Sequence, residues 1–121
     1  MNIMLSNTSP HPIYLQIKDQ IKQSILSGEL AEGQLLPSIR SLAHDLQISV
    51  ITTKRAYDDL EQEGLVQSVG GKGTFVSTQN KQLIREIQLQ QIKEHIHEVV
   101  IESRKLGLSD KEIIALLQQF L

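Results

Sequence analysis

Isoleucines four residues apart open the folded part of the chain. Ile13, Ile17, Ile21 and Ile25 fall on one side of a helix with Tyr14 beside them, and Gly28 follows as a stop signal, so the pattern predicts a helix over residues Ile13–Ser27 with one buried face. Pro10-His11-Pro12 hold the preceding chain extended. Glu29–Leu36 reads as a turn around Gly33 and a short extended piece ending in Leu35-Leu36-Pro37. Ile39, Leu42, Ala43 and Leu46 then fall at i, i+3, i+4 and i+7, the stripe of a second, short helix that Pro37-Ser38 would start. The same spacing returns at Thr53, Ala56, Tyr57 and Leu60, with Ser49 at the N-cap position and Gly64 where a C′ glycine ends a helix. Only Gln47-Ile48-Ser49 separates the second helix from the third, which predicts a helix-turn-helix with Ile48 plugging the space between them. Many such turns carry glycine or a small residue where Gln47 stands.

Beyond Gly64 the pattern changes twice. Leu65–Val69 and Thr74–Val76 read as two strands around the turn Gly70-Gly71-Lys72-Gly73, a hairpin with a lysine at its tip. Lys81 to about Lys105 contains neither proline nor glycine and predicts a helix roughly 36 Å long. Its apolar residues form two patches on nearly opposite sides, Leu83, Ile84 and Ile87 on one and Leu89, Ile92, Ile96, Val99 and Val100 on the other, so it needs two things to pack against. Leu106-Gly107-Leu108 breaks it. Ser109-Asp110-Lys111-Glu112 is a capping box that starts a final short helix with a broad apolar face. The expected architecture is α+β, mainly α: a winged helix-turn-helix over residues 1–78, then a two-helix hairpin over 79–121. The first patch can pack on the chain's own winged domain. Ile92, Ile96, Val99, Val100, Leu116, Leu117, Phe120 and Leu121 are left as a seam through which two copies would form a homodimeric four-helix bundle.

Composition narrows the classes. The 121 residues suffice for one core and a small appendage; 40% are hydrophobic but only 3% aromatic, so the core must be aliphatic. There is no apolar run long enough to span a membrane and no signal-peptide pattern, and the absence of cysteine fits a reducing cytoplasm. The net charge of −2 does not advertise nucleic-acid binding, so any positive surface must be local. The third helix supplies one: Lys54 and Arg55 lie toward its front, Asp58, Asp59, Glu61 and Glu63 toward its rear. That polarity suits end-on insertion into a groove of negative charge; the plainer alternative is an amphipathic helix with solvated charges.

Four segments in fixed order, Pro12-Ile13-Tyr14…Gln16-Ile17, Leu36-Pro37-Ser38…Arg40…Leu42-Ala43, Thr53…Arg55-Ala56-Tyr57…Leu60-Glu61…Gly64-Leu65 and Gly71-Lys72-Gly73-Thr74-Phe75-Val76, resemble the GntR family of bacterial transcription regulators. With only two helices after the hairpin, the chain is most similar to the small YtrA-like branch. The resemblance implies a DNA-binding homodimer, usually a repressor and often of transporter operons. It also implies DNA contacts from Ser38 and Arg40, from Ser49, Val50, Ile51, Thr52, Lys54 and Arg55, and from Gly71, Lys72 and Gly73 in the wing. Many relatives carry arginine just after the N-cap, where Val50 and Ile51 stand here; an apolar contact with a thymine methyl is the substitute these residues offer.

The residue types suit those roles on their own chemistry. Arg40 can fork onto guanine or phosphate, and Ser49 with the helix amides suits a phosphate oxygen. The alternatives are an ion pair from Arg40 to Asp45, a bond from Arg55 to Asp59, and a solvated turn for Lys72. His95 and His97 are two apart on a helix and cannot share a metal within one chain; His11 and His44 have no partner in sequence. No metal or cofactor is expected. No nucleophile–base constellation appears, and the glycine run lies between strands rather than before a helix, so no enzyme is expected. Some forty residues in two helices look too few to enclose a ligand cavity of about 300–1,000 Å³. The alternative function is a protein-interaction winged helix without DNA binding.

Overall fold

A computed structural model describes residues 1–78 and 80–121. The order of elements is α1 (Ile13–Leu26), α2 (Ile39–Leu46), α3 (Val50–Gln62), β1 (Val66–Val69), β2 (Gly73–Val76), α4 (Lys81–Lys105) and α5 (Asp110–Gln118). They divide into two compact units, Met1–Leu83 and Ile84–Leu121. The boundary expected from sequence at residue 79 falls outside the described residues.

In the first unit the isoleucine stripe of α1 and the stripe of α3 form one aliphatic core: Ile17, Ile21, Ile25, Thr53, Ala56, Tyr57 and Leu60 are all buried. Leu42 and Ala43 of α2, Leu65, Val66 and Val76 complete it. Buried Thr53 satisfies its hydroxyl by donating to the Ser49 carbonyl at 3.1 Å. Helix α3 stops as Gly64 predicts. Its φ of +82° lets the Gly64 N–H reach the Glu61 carbonyl and the Leu65 N–H reach that of Leu60, a Schellman ending. Lys18 and Lys22 of α1 both pair with Glu63, at 3.2 and 3.4 Å, and fix that end of α3.

The hairpin pairs Val66 with Val76 and Val69 with Gly73, antiparallel. A third extended segment completes it: Gly33 N–H donates to the Val76 carbonyl, Val76 N–H to that of Gln34 and Leu36 N–H to that of Thr74, each at 2.9 Å. Gly73 is at φ +116°, and a Cβ there would lie 3.0 Å from a Leu35 methyl, so a side chain at this position would be strained. The segment before α1 is tied down as well. The Gln20 amide exchanges two hydrogen bonds with the Met4 peptide, at 2.9 and 2.7 Å, and the Gln16 amide does the same with Ser6, at 2.9 and 3.0 Å.

In the second unit Gly107 at φ +79° and a bond from Leu108 N–H to the Ser103 carbonyl end α4. Ser109 caps α5 through the expected capping box. Hydrogen bonds from the Ser109 N–H and side chain hold the Glu112 carboxyl below the usual glutamate range. Arg104 and Asp110 pair across the turn. Among the described residues of this unit only Ser103 is fully buried. No described helix is long and apolar enough to cross a membrane.

Candidate nucleic-acid interface

Both helices of the helix-turn-helix begin with a serine whose side chain caps the first turn. Ser38 Oγ accepts the Ser41 N–H at 3.0 Å and Ser49 Oγ accepts the Thr52 N–H at 3.0 Å. The turn between the helices closes through Gln47, whose φ of 56° makes it the one described non-glycine residue in the left-handed region. That is the strain implied by the missing small residue there. Tyr57 holds the pair together: its buried hydroxyl donates to the Pro37 carbonyl at 2.7 Å, just ahead of α2. Burial pushes the phenol pKa well above its ordinary value, so the hydroxyl keeps the proton it donates.

The expected contact residues fall into two groups. Arg40 and Lys72 are exposed, and among the described residues neither meets a carboxylate; Asp45, the alternative partner of Arg40, lies beside His44 at 3.7 Å instead. Gly71, at φ +74°, turns the wing so that Lys72 sits at its tip, with the Lys72 N–H closing onto the Val69 carbonyl. The cations of α3 are already engaged. Lys54 pairs with Asp58 at 2.6 Å, and the Arg55 guanidinium lies 3.7 Å from the centre of the Tyr14 ring. Neither the DNA contact implied for Arg55 nor its alternative, a bond to Asp59, anticipates this stacking. Tyr14 thus joins the site from α1, signalled in sequence only by its place in the Pro-Ile-Tyr segment. The Ser49 hydroxyl also donates to Thr52 Oγ1 at 2.7 Å, so its proton is held within the helix rather than free for a phosphate. Val50 and Ile51 project from the first turn into solvent.

In the second unit, Ile92, Ile96, Val99 and Val100 of α4 face Ile113, Leu116, Leu117 and Phe120 across an apolar cleft of about 410 Å³ with His95 at its edge. The cleft is open, and most of its lining residues are exposed. Leu121, expected on the same seam, is almost wholly exposed. His97 lies with Lys93, Glu94 and Glu98 on a polar stretch of α4, and no group of three or more potential ligands able to hold a metal occurs among the described residues.

Residues 13–76 match the family model of bacterial regulatory proteins, gntR family. The chain belongs to the GntR family. The GntR match spans α1 through the wing, the part of the chain whose motifs are most specific. Over 106 residues the chain is 34% identical to the HTH-type transcriptional repressor YtrA of Bacillus subtilis, covering 88% of this chain and 82% of that one. A crystal structure of a transcriptional regulator from Oenococcus oeni superposes with a TM-score of 0.82 at 27% identity, covering 96% of each chain. The DNA-binding domain of AraR, solved in complex with its operator ORR3, superposes with a TM-score of 0.54 at 32% identity over 64% of this chain and 93% of that one. The fold is thus the GntR winged helix-turn-helix with a helical tail, and the family consists of transcription regulators.

Proposed function

We propose that this chain is a sequence-specific DNA-binding transcription regulator, a repressor that acts as a homodimer on a near-palindromic operator in the cytoplasm, with a transporter operon as its target. The observation that carries the DNA reading is the exposure of α3's front turn together with two unpaired cations, Arg40 and Lys72, in a chain whose family match covers all three positions. The operator complex of AraR, a similar structure, supports the same use of this unit. The dimer reading rests on the second unit: a pair of helices whose apolar residues stay largely exposed lacks a core of its own, and a second copy supplies one.

Retention of the full-length protein on DNA as salt rises is the test. Neutralising phosphates releases counterions, so affinity falls steeply with salt. Lys72→Ala should flatten the slope by about one unit and weaken binding alike on all sequences. Arg40→Ala should cost about 1–3 kcal/mol on a selected site if its fork reads a base. Parent-like binding by both variants would move the interface elsewhere. A protein-interaction role is favoured by one observation, the internal pairing of Lys54 with Asp58, and retention without any salt slope would support it.

A further inference from the structure

The front of α3 offers a duplex few free donors. The Ser49 hydroxyl is bonded to Thr52, Lys54 pairs with Asp58 and Arg55 stacks on Tyr14, which leaves the Thr52 hydroxyl proton and the edge of the guanidinium. What projects instead is aliphatic: Ile51 is 81% exposed and Val50 46%. Their direction is fixed by the core. Ile51 stands about two and a half turns before Leu60, which is fully buried, so it points straight away from the packed face. Lys54 and Arg55 flank it one turn further on. A helix that lies in the major groove with its core face outward therefore presents Ile51 to the groove floor, with Val50 to one side.

Among the base edges in the major groove, the apolar group is the C5 methyl of thymine. We propose, on the basis of the DNA-binding reading above, that Ile51 and Val50 are specificity-determining residues that read thymine methyl groups in each half-site. Sequence preference at the front of the helix then comes from apolar fit rather than from a guanidinium on guanine.

The full-length protein is first used to select its preferred site from random duplexes, and each thymine of that site is then replaced in turn by deoxyuracil, which removes only the methyl. Binding should weaken about fourfold at one or two positions in each half-site, the scale of one buried methyl, and stay unchanged at the others. At a sensitive position, 5-methylcytosine should bind better than cytosine. Ile51→Ala and Val50→Ala should treat thymine and uracil more nearly alike, the larger change falling on Ile51→Ala. Equal affinity for every uracil-substituted site overturns the proposal, as does a uracil penalty that survives in both variants or a selected site without thymine. A protein that selects no sequence and shows no salt-dependent retention removes the DNA reading itself, whereas specific retention with no uracil penalty removes only the methyl readout.

Discussion

Replacing Ile96 by glutamate tests whether the second unit makes the dimer. Ile96 lies on the α4 side of the apolar cleft and is 47% exposed in the single chain, so roughly half of its surface awaits a partner. Full burial of an isoleucine contributes about 1.5–3 kcal/mol, hence about 1 kcal/mol for the remaining half and about 2 for both copies of a symmetric seam. A carboxylate in that position has no lysine or arginine among the cleft residues, and an unpaired buried charge costs several kcal/mol. A total above about 4 kcal/mol raises the dimer dissociation constant about a thousandfold or more. Sedimentation velocity across the micromolar range should show a dimeric parent, a dimeric Ile96→Leu control and a monomeric Ile96→Glu, with circular dichroism confirming that the winged unit stays folded. A monomeric parent, or an Ile96→Glu variant that sediments like it, would remove this face from the interface.

Tyr57→Phe should cost about 1 kcal/mol, read as a lower denaturant midpoint at unchanged slope, because the Pro37 carbonyl loses its donor. The Tyr57 pKa is raised in the folded protein, so its contribution is fully present below about pH 10, the unfolded tyrosine value, and is lost as pH rises further; the parent should lose alkaline stability that the phenylalanine variant keeps. For the Arg55 stack, Tyr14→Phe should retain DNA binding, since the ring face remains, while Tyr14→Leu should weaken it by a few-fold. Equal affinities for the two Tyr14 variants in salt-matched retention would show that the stack does not position Arg55 for DNA.

Much of this was legible in the sequence because it is local. Stripes at helical spacing, serine caps, the C′ glycine at Gly64 and the capping box at Ser109 each specify structure within a few residues, and all appear where they were read. What escaped is contact between distant segments. Sequence neighbours suggested carboxylates for Arg40 and Arg55, yet Asp45 sits by His44 and Arg55 crosses to an aromatic ring on α1. The pair Lys54–Asp58, at i and i+4, obeys the same rule that was applied to Arg55 and could have been found by it. The hold of Gln16 and Gln20 on the N-terminal segment could not be read in this way. Two side chains one helical turn apart, about 6 Å, match alternate peptides of an extended chain at about 6.6 Å, and nothing in either segment alone announces the match.

The acidic rear of α3 takes on a structural meaning that bears on how an acidic chain could approach a polyanion. Glu61 accepts the Ser68 N–H of β1 at 2.7 Å, Glu63 is shared by Lys18 and Lys22 of α1, and Asp58 is paired with Lys54. Of the four carboxylates at this end of α3, Asp58 and Glu63 are therefore ion-paired, while Glu61 keeps its charge on a backbone amide; Glu61 and Glu63 also clamp the rear of the helix to the wing and to α1. Repulsion from the helix is reduced without adding cations, but so is attraction, because Lys54 is itself used in the pairing. With Arg40, Lys72 and the ring-stacked Arg55 left as the cations among the proposed contacts that meet no carboxylate, one unit has little electrostatic hold on phosphate. On the proposed reading, affinity then depends on engaging two half-sites at once, where the second contact forms at high effective concentration. Specificity correspondingly falls to shape and apolar fit at Ile51 rather than to charge. The exposed seam of the second unit and the aliphatic first turn of α3 are, in that sense, two consequences of one economy of positive charge.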